Sequence, residues 1–122
     1  MPRPILDEAQ IHPAIRGKIA GHQQAIVDEV RSALQRNDVV VVGMAMNPFP
    51  AKARKALAAA GVPHQYLEYG NYFNGWRRRN ALKMWTGWPT VPMVFVKGTL
   101  IGGATELQTL IDSGELKKML AA

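Results

Sequence analysis

The chain has 122 residues, of which 48% are hydrophobic, and it contains no cysteine. This length favours one domain that buries about two thirds of its unfolded surface without disulfide or metal staples. Fifteen basic residues against nine acidic ones give a net charge of +6, which favours anionic partners. No segment approaches the roughly 20 apolar residues of a membrane-spanning helix, so we expect a soluble, cytoplasmic protein without a membrane partner.

Residues 1–24 are predicted to form an N-terminal helical extension. Prolines and interleaved charges stand where a secretory signal would have a basic stretch and an apolar run. Ile11, Ile15 and Ile19 recur at helical spacing. This apolar face either packs on the rest of the chain or offers a surface to a protein partner or to a second copy in a homodimer.

The next segment predicts a helix followed by a strand, a helix and a strand. Residues 25–36 place apolar side chains at spacings of three and four, which is typical of an amphipathic helix. Residues 39–42 are four valines, as expected of a central strand covered on both faces. An alanine-rich helix at 51–61 precedes a less apolar strand at 64–69, which we place nearer an edge. This order implies a right-handed parallel crossover.

Residues 72–85 predict another helix. We expect Trp76, Leu82 and Trp85 to be its buried anchors, with the three arginines at 77–79 facing outward. Basic side chains form two clusters that either are solvated helix faces or flank one cleft. The clusters lie at residues 52–55 and 77–83.

The last part of the chain predicts a hairpin and two helices. Strands at 93–96 and 99–101 are separated by two residues, the spacing of a tight antiparallel hairpin. A glycine pair at 102–103 breaks the sheet, Thr105 is the expected cap of the next helix, and Gly114 ends it. Taken together, the elements predict one α/β sandwich.

The most specific pattern runs from Trp88 to Gly103. It consists of Trp-Pro-Thr-Val-Pro, the hairpin and Gly-Gly, and it closely resembles the core of the glutaredoxins, especially their monothiol branch. The resemblance covers residues 25–122, which we take as a glutaredoxin-like domain. It implies a thioredoxin-like three-layer sandwich, with helices on both faces of a four-stranded mixed sheet, and a cis peptide bond before Pro92.

In glutaredoxins these elements hold glutathione, so the resemblance implies a glutathione site. The cradle at 90–92 would pair with the ligand's cysteinyl backbone through Val91. Arg79 and Lys83 would reach the glycyl carboxylate, and the helix start at Thr105 would take the γ-glutamyl carboxylate, because free N–H groups and the helix dipole favour anions. The implied ligand-binding residues are Asn47, Phe49, Arg79, Lys83, Thr90, Val91, Pro92, Gly103, Ala104 and Thr105.

The chain departs from the family at the thiol. Asn47 stands at the position of the nucleophilic cysteine and Pro50 at that of the resolving cysteine, while Phe49 matches the aromatic residue between them. A thiolate attacks disulfides and ligates iron–sulfur clusters, and an amide does neither. Asn47 is instead a favourable N-cap. We therefore expect no catalytic residue, no iron–sulfur cluster and no metal site.

Methionines are expected to line the same cleft. Met44 stands where the family has a lysine, and Met46 and Met93 lie close to the cleft in the predicted fold. They are either flexible filler or a patch for a soft metal.

Three functions fit these patterns. The preferred one is a redox-inactive binding or regulatory protein that keeps a cleft for glutathione or an acidic peptide. Alternatives are a module that docks a partner's extended segment beside Asn47 and Val91, and a thiol-disulfide oxidoreductase that uses a borrowed thiol. The last rests on the resemblance alone, so enzymatic activity stays open. We do not expect a nucleic-acid partner, because nothing resembles a base-reading motif.

Overall fold

A mixed β-sheet forms the centre of the computed structural model, which describes residues 3–121. Its strands are β1 (Val39–Gly43), β2 (Gln65–Glu68), β3 (Met93–Val96) and β4 (Thr99–Gly102). In the sheet order β2-β1-β3-β4, β1 runs parallel to β2 and antiparallel to β3, and β3 runs antiparallel to β4. The predicted four-stranded mixed sheet is confirmed, with β1 central and β2 at an edge.

Helices cover both faces of the sheet. Within the described residues they are α1 (Pro13–Gly21), α2 (Gln24–Arg36), α3 (Pro48–Ala59), α4 (Trp76–Thr86), α5 (Ala104–Ser113) and α6 (Glu115–Ala121). Helices α2 and α4 pack on one face, and α3, α5 and α6 pack on the other. The predicted three-layer α/β sandwich is therefore confirmed.

Strand β1 joins the two halves of the core. Val40 and Val42 pack with α2 and α4, whereas Val39 and Val41 pack with α3 and α5. This division follows from the alternation of side chains along a strand. All four valines are buried, as the continuous apolar run predicts.

The strand directions bring several loops to one end of the strands. Val42 pairs with Met93, so the end of β1 lies beside the start of β3. Val94 pairs with Gly102, so the end of β4 lies there as well. Strand β2 runs parallel to β1, and its carboxyl end therefore lies at this end of the sheet too. The loops after β1, β2 and β4 and the loop before β3 all meet there.

Helix α4 begins at Trp76 and not at residue 72 as predicted. The N–H groups of Phe73 and Asn74 donate to Asn71 Oδ1, at 2.8 and 3.1 Å, which holds residues 71–74 in a turn. Gly75 follows with φ of 76°, in the left-handed region that a helix interior excludes. The helix can start only after that residue.

The predicted orientation of α4 is wrong for three side chains. Trp76 is mostly exposed and Trp85 is more than a third exposed, whereas Arg79 is only 7% exposed. Arg79 turns inward because its Nη1 donates to two backbone carbonyls, and Trp85 is held at the surface with its ring 6.4 Å from that of Phe95. Leu82 is buried as predicted.

The N-terminal extension contributes no buried side chain through α1. Ile15 and Ile19 are about half exposed, and Arg3 reaches the end of α4, where its Nη2 lies 3.4 Å from Met84 O. The boundary at residue 24 and the use of the extension by a partner stay predictions. Between residues 3 and 121, no helix combines the length and apolarity that crossing a bilayer would need.

The folded protein raises the pKa of two tyrosines, Tyr66 within β2 and Tyr69 directly after it. Burial, together with the hydrogen bond from its hydroxyl to Glu68 Oε1, raises the pKa of Tyr66 to about 12. Burial also raises the pKa of Tyr69, whose hydroxyl donates to Glu29 Oε1 at 2.9 Å. This second bond ties the end of β2 to α2.

The free energy of unfolding should therefore fall as the pH rises from about 10 through 12. Unfolded tyrosines ionise near pH 10 while the folded ones hold their protons, so the stabilisation is complete below pH 10 and is lost above it. Urea denaturation across this range measures the slope. Tyr69→Phe should flatten it, whereas Tyr72→Phe, at an exposed position, should not. A stability that is constant from pH 10 to 12 would contradict this account.

Candidate functional site

A cleft of about 460 Å³ opens where the loops meet. Nine of the ten predicted ligand-binding residues line it, and the tenth, Arg79, does not. The nine are Asn47, Phe49, Lys83, Thr90, Val91, Pro92, Gly103, Ala104 and Thr105. The structure thus brings together residues from four separate segments of the chain.

Asn47 caps the amino end of α3, as predicted. The Phe49 N–H donates to Asn47 Oδ1 at 2.9 Å, and Pro48 occupies the first helical position. Such a cap stabilises a helix by about 1 kcal/mol relative to alanine. Pro50 lies in the first turn of the same helix, where it is buried against Gly43, and it does not line the cleft.

The opposite wall of the cleft is the segment that leads into β3. The Val91–Pro92 peptide bond is cis, which is the form the resemblance implies. The N–H and C=O of Val91 take part in none of the turn, loop or cap hydrogen bonds of residues 3–121. An extended peptide can therefore pair with this backbone.

The amino end of α5 forms the third wall. Leu107 N–H is the first to donate within the helix, to Gly103 O at 3.0 Å, so the N–H groups of residues 104–106 precede the helical ladder. These donors and the helix dipole favour an anion. Thr105 is not the cap that we predict from the sequence, because the helix begins at Ala104 and Gly103 occupies the N-cap position.

Sequence reasoning misses Glu106. Its side chain also lines the cleft, and Gly103 N–H donates to Glu106 Oε1 at 2.8 Å. A glutamate three residues after the N-cap is one half of a capping box, but the pattern is harder to recognise with glycine at the cap. Glu106 brings a negative charge to the end of α5 that an anionic ligand must approach.

One of the three methionines expected in the cleft lines it. Met44 is there, whereas Met93 is fully buried in the core and Met46 is exposed. Met93 points inward because it begins β3 on the face that α2 and α4 cover. The expectation that all three line the cleft is wrong.

Trp88 is a further wall residue. Its Nε1 is buried and has no hydrogen-bond partner within residues 3–121. It lies 3.8 Å from the point where a side chain on Gly103 would begin. An unpaired buried donor costs about 1–3 kcal/mol, so an acceptor entering here would stabilise the wall.

Positive groups flank the cleft on two sides. Lys83 lines it from α4, and an adjoining groove of about 580 Å³ between α3 and α5 is lined by Lys52 and Lys55. The groove shares Phe49 with the cleft, and Lys52 Nζ lies 5.7 Å from the centre of that ring. The cluster at residues 52–55 therefore borders the site through these two lysines.

Comparisons with known proteins agree with this geometry. The family model described as Glutaredoxin matches residues 39–101. A "Glutaredoxin-like protein" of Dictyostelium discoideum is 46% identical over 98 residues, which are 80% of either chain. The chain belongs to the glutaredoxin family.

Other glutaredoxins support the assignment. Glutaredoxin-1 of Rhizophagus irregularis is 33% identical over 97 residues, covering 80% of this chain and 96% of that one. A buckwheat glutaredoxin, solved as a complex with glutathione, superposes with a TM-score of 0.72 at 26% identity, covering 82% and 91% of the two chains. The predicted thioredoxin-like fold is thus confirmed, in a glutaredoxin without cysteine.

In this glutaredoxin Arg79 has a structural task. Its Nη1 donates to Tyr69 O at 2.8 Å and to Asn74 O at 2.9 Å, carbonyls on either side of the turn before α4. The side chain therefore closes the loop between β2 and α4. Because Arg79 does not line the cleft, we leave it out of the ligand site.

Arg79→Ala should lower the free energy of unfolding by about 3 kcal/mol, because two carbonyls lose a charged donor. Arg78→Ala, which removes an exposed arginine from the same helix, should change it by less than about 0.5 kcal/mol. Urea denaturation of the two variants measures the difference. Equal losses would mean that the two carbonyl contacts contribute nothing to stability.

Proposed function

We propose that this protein binds glutathione, or an acidic peptide of similar size, in the cleft and carries out no thiol–disulfide exchange. Its role would be that of a binding or regulatory protein. The observation that carries the proposal is a set of peptide-binding and anion-binding walls around a position where asparagine replaces a thiol. The glutathione complex of the buckwheat relative supports the choice of ligand.

The backbone of Val91 supplies the central contact in this proposal. Its peptide groups stand before β3 without a turn or loop partner, and a peptide lying across the cleft can exchange two hydrogen bonds with them. Backbone pairing of this kind recognises an extended peptide whatever its side chains. Specificity must then come from the charged ends of the ligand.

Two positive sites match a ligand with two carboxylates. The free N–H groups at residues 104–106 offer one site, and the Lys83 ammonium on the other side of the cleft offers the second. The position of Glu106 weakens the first site, because its carboxylate already accepts from Gly103 N–H. Binding should therefore be moderate and sensitive to salt.

The chemistry that is missing follows from Asn47. Its side-chain oxygen accepts from Phe49 N–H, so the amide is committed to capping α3. Thiol–disulfide exchange begins with attack by a thiolate, and the chain has no thiol at any position. A bound glutathione would therefore keep its own thiol.

Calorimetric titration with reduced glutathione should show saturable binding. Lys83→Gln should weaken it about fivefold by removing a charged partner. Glu106→Gln should strengthen it about threefold, because glutamine keeps the capping bond and removes the repulsive charge. Lys97→Gln is the matched control. Lys97 lies in the turn between β3 and β4, at the end of the strands opposite to the cleft, and it pairs with Asp38.

No heat at millimolar glutathione, from folded protein, would rule out the ligand. Equal weakening by Lys83→Gln and Lys97→Gln would show that net charge, and not the cleft, determines binding. Either result would favour the alternative predicted from the sequence, in which an extended segment of a partner protein binds beside Val91.

Asn47→Cys should create disulfide-reducing activity in the presence of glutathione. The new thiol would stand at the amino end of α3, where the helix dipole and free N–H groups lower the pKa of a thiol. Ala59→Cys is the control, because it places an exposed thiol at the carboxyl end of the same helix, where the dipole has the opposite effect. Activity in the unmodified protein would contradict the redox-inactive role.

A further inference from the structure

A second surface lies beside the cleft, on the segment that connects β2 to α4. We call residues 72–78 the aromatic loop. Tyr72 is 61% exposed, Phe73 is 82% exposed and Trp76 is 56% exposed, so three aromatic side chains within five residues face solvent. Exposed aromatic side chains that cluster in this way mark interaction sites.

The loop has a defined shape. Asn71 N–H donates to Asn74 O at 3.1 Å, and the Asn71 side chain accepts from the N–H groups of Phe73 and Asn74. A side chain on Gly70 would collide with Asn74 O, so the turn closes tightly on itself. Arg79 holds the turn from the inside. Phe73 is thus projected outward by a turn that is already formed.

Positive charge surrounds the aromatic rings. Arg77 and Arg78 follow Trp76 directly, and Arg77 Cζ lies 5.4 Å from the centre of the Trp76 indole. Neither arginine forms an ion pair within residues 3–121. From residue 69 to residue 105 the sequence has no aspartate or glutamate. The carboxylate nearby on α2, that of Glu29, accepts from the Tyr69 hydroxyl.

Two arginines in the first turn of α4 are unfavourably placed for the helix itself. The amino end of a helix carries partial positive charge and prefers acidic side chains, yet this turn has none. A hollow of about 440 Å³ lies between Phe73, Trp76 and the two arginines. An anionic group in this hollow would offset the charge while the rings on either side enter an apolar phase.

We propose that the aromatic loop docks the protein on an anionic lipid bilayer, although the sequence alone predicts no membrane partner. Phe73 enters the boundary of the acyl chains, Tyr72 and Trp76 lie at the level of the headgroups, and Arg77 and Arg78 bind lipid phosphates. Tyrosine and tryptophan favour this interface because one part of each ring system is apolar and another donates a hydrogen bond. Each arginine near an anionic surface contributes about a fivefold gain in affinity.

The shape of the loop favours a bilayer over a single-stranded nucleic acid. Base stacking needs aromatic faces that are open along a groove. Here Arg77 stands over the Trp76 ring, and the 82% exposed Phe73 projects from the turn. A fluid bilayer adapts to such a projection, whereas a folded partner would need a matching cavity.

Docking would place the cleft close to the membrane surface. Ala45 N–H donates to Gly70 O at 2.8 Å, which joins the segment before Asn47 to the base of the aromatic loop. The cleft and the aromatic loop therefore lie at the same end of the sheet. The docking proposal does not depend on glutathione binding, since the two surfaces have different charged residues.

Co-sedimentation of the full chain with lipid vesicles tests the proposal. Vesicles of phosphatidylcholine containing about 30% phosphatidylserine should retain the protein, and pure phosphatidylcholine vesicles should not. Arg77→Gln/Arg78→Gln should lower the partition coefficient roughly thirtyfold. Lys117→Gln/Lys118→Gln removes the same charge from exposed positions on α6 and should change it little.

Phe73→Ser should lower the partition coefficient about tenfold through the loss of buried apolar area. Ile5→Ser, which removes an exposed aliphatic side chain elsewhere, is its control. Circular dichroism and urea denaturation verify that each variant is folded. Failure of the unmodified protein to bind anionic vesicles, or equal losses in the variants and their controls, would overturn the proposal. So would Phe73-dependent binding of a single-stranded oligonucleotide that displaces the vesicles.

Discussion

The antiparallel ladder between β1 and β3 sets Val42 opposite Met93, and this register determines which loops meet. It brings the start of α3 against the segment that carries the cis bond before Pro92. The second antiparallel pairing, between β3 and β4, returns the chain to the same end of the sheet and places the amino end of α5 there. A shift of one residue along β1 would put Asp38 or Gly43 where a buried valine now packs, so the hydrophobic core itself maintains the cleft.

Asn47 shows that the cleft can form without a thiol at the start of α3. The start of α3 needs a side chain that accepts from a backbone N–H, and asparagine meets this need through its contact with Phe49 N–H. In a catalytic glutaredoxin a thiolate would use the same electrostatic environment to become reactive. The fold supplies that environment in either case, because it comes from the helix and not from the residue.

Local patterns predict the elements and most of the cleft. The four valines of β1, the hairpin spacing and the Trp88-to-Gly103 segment each give an element or wall that the structure contains. The errors lie where distant groups decide the outcome. Arg79 is drawn inward by the carbonyls of Tyr69 and Asn74, and no helical pattern reveals such partners. Glu106 could have been found, since a glutamate three residues after Gly103 supplies one half of a capping box.

The same limit explains the aromatic loop. Trp76 is predicted to be a core anchor because a helix is expected from residue 72, and the turn fixed by Asn71 moves it to the surface.

The central claim is that a formed binding cleft surrounds Asn47. Amide chemical-shift mapping with reduced glutathione tests it most directly. We predict saturable shifts for Val91 and for residues 104–106. Absence of shifts there, in folded protein at millimolar ligand, would contradict the claim.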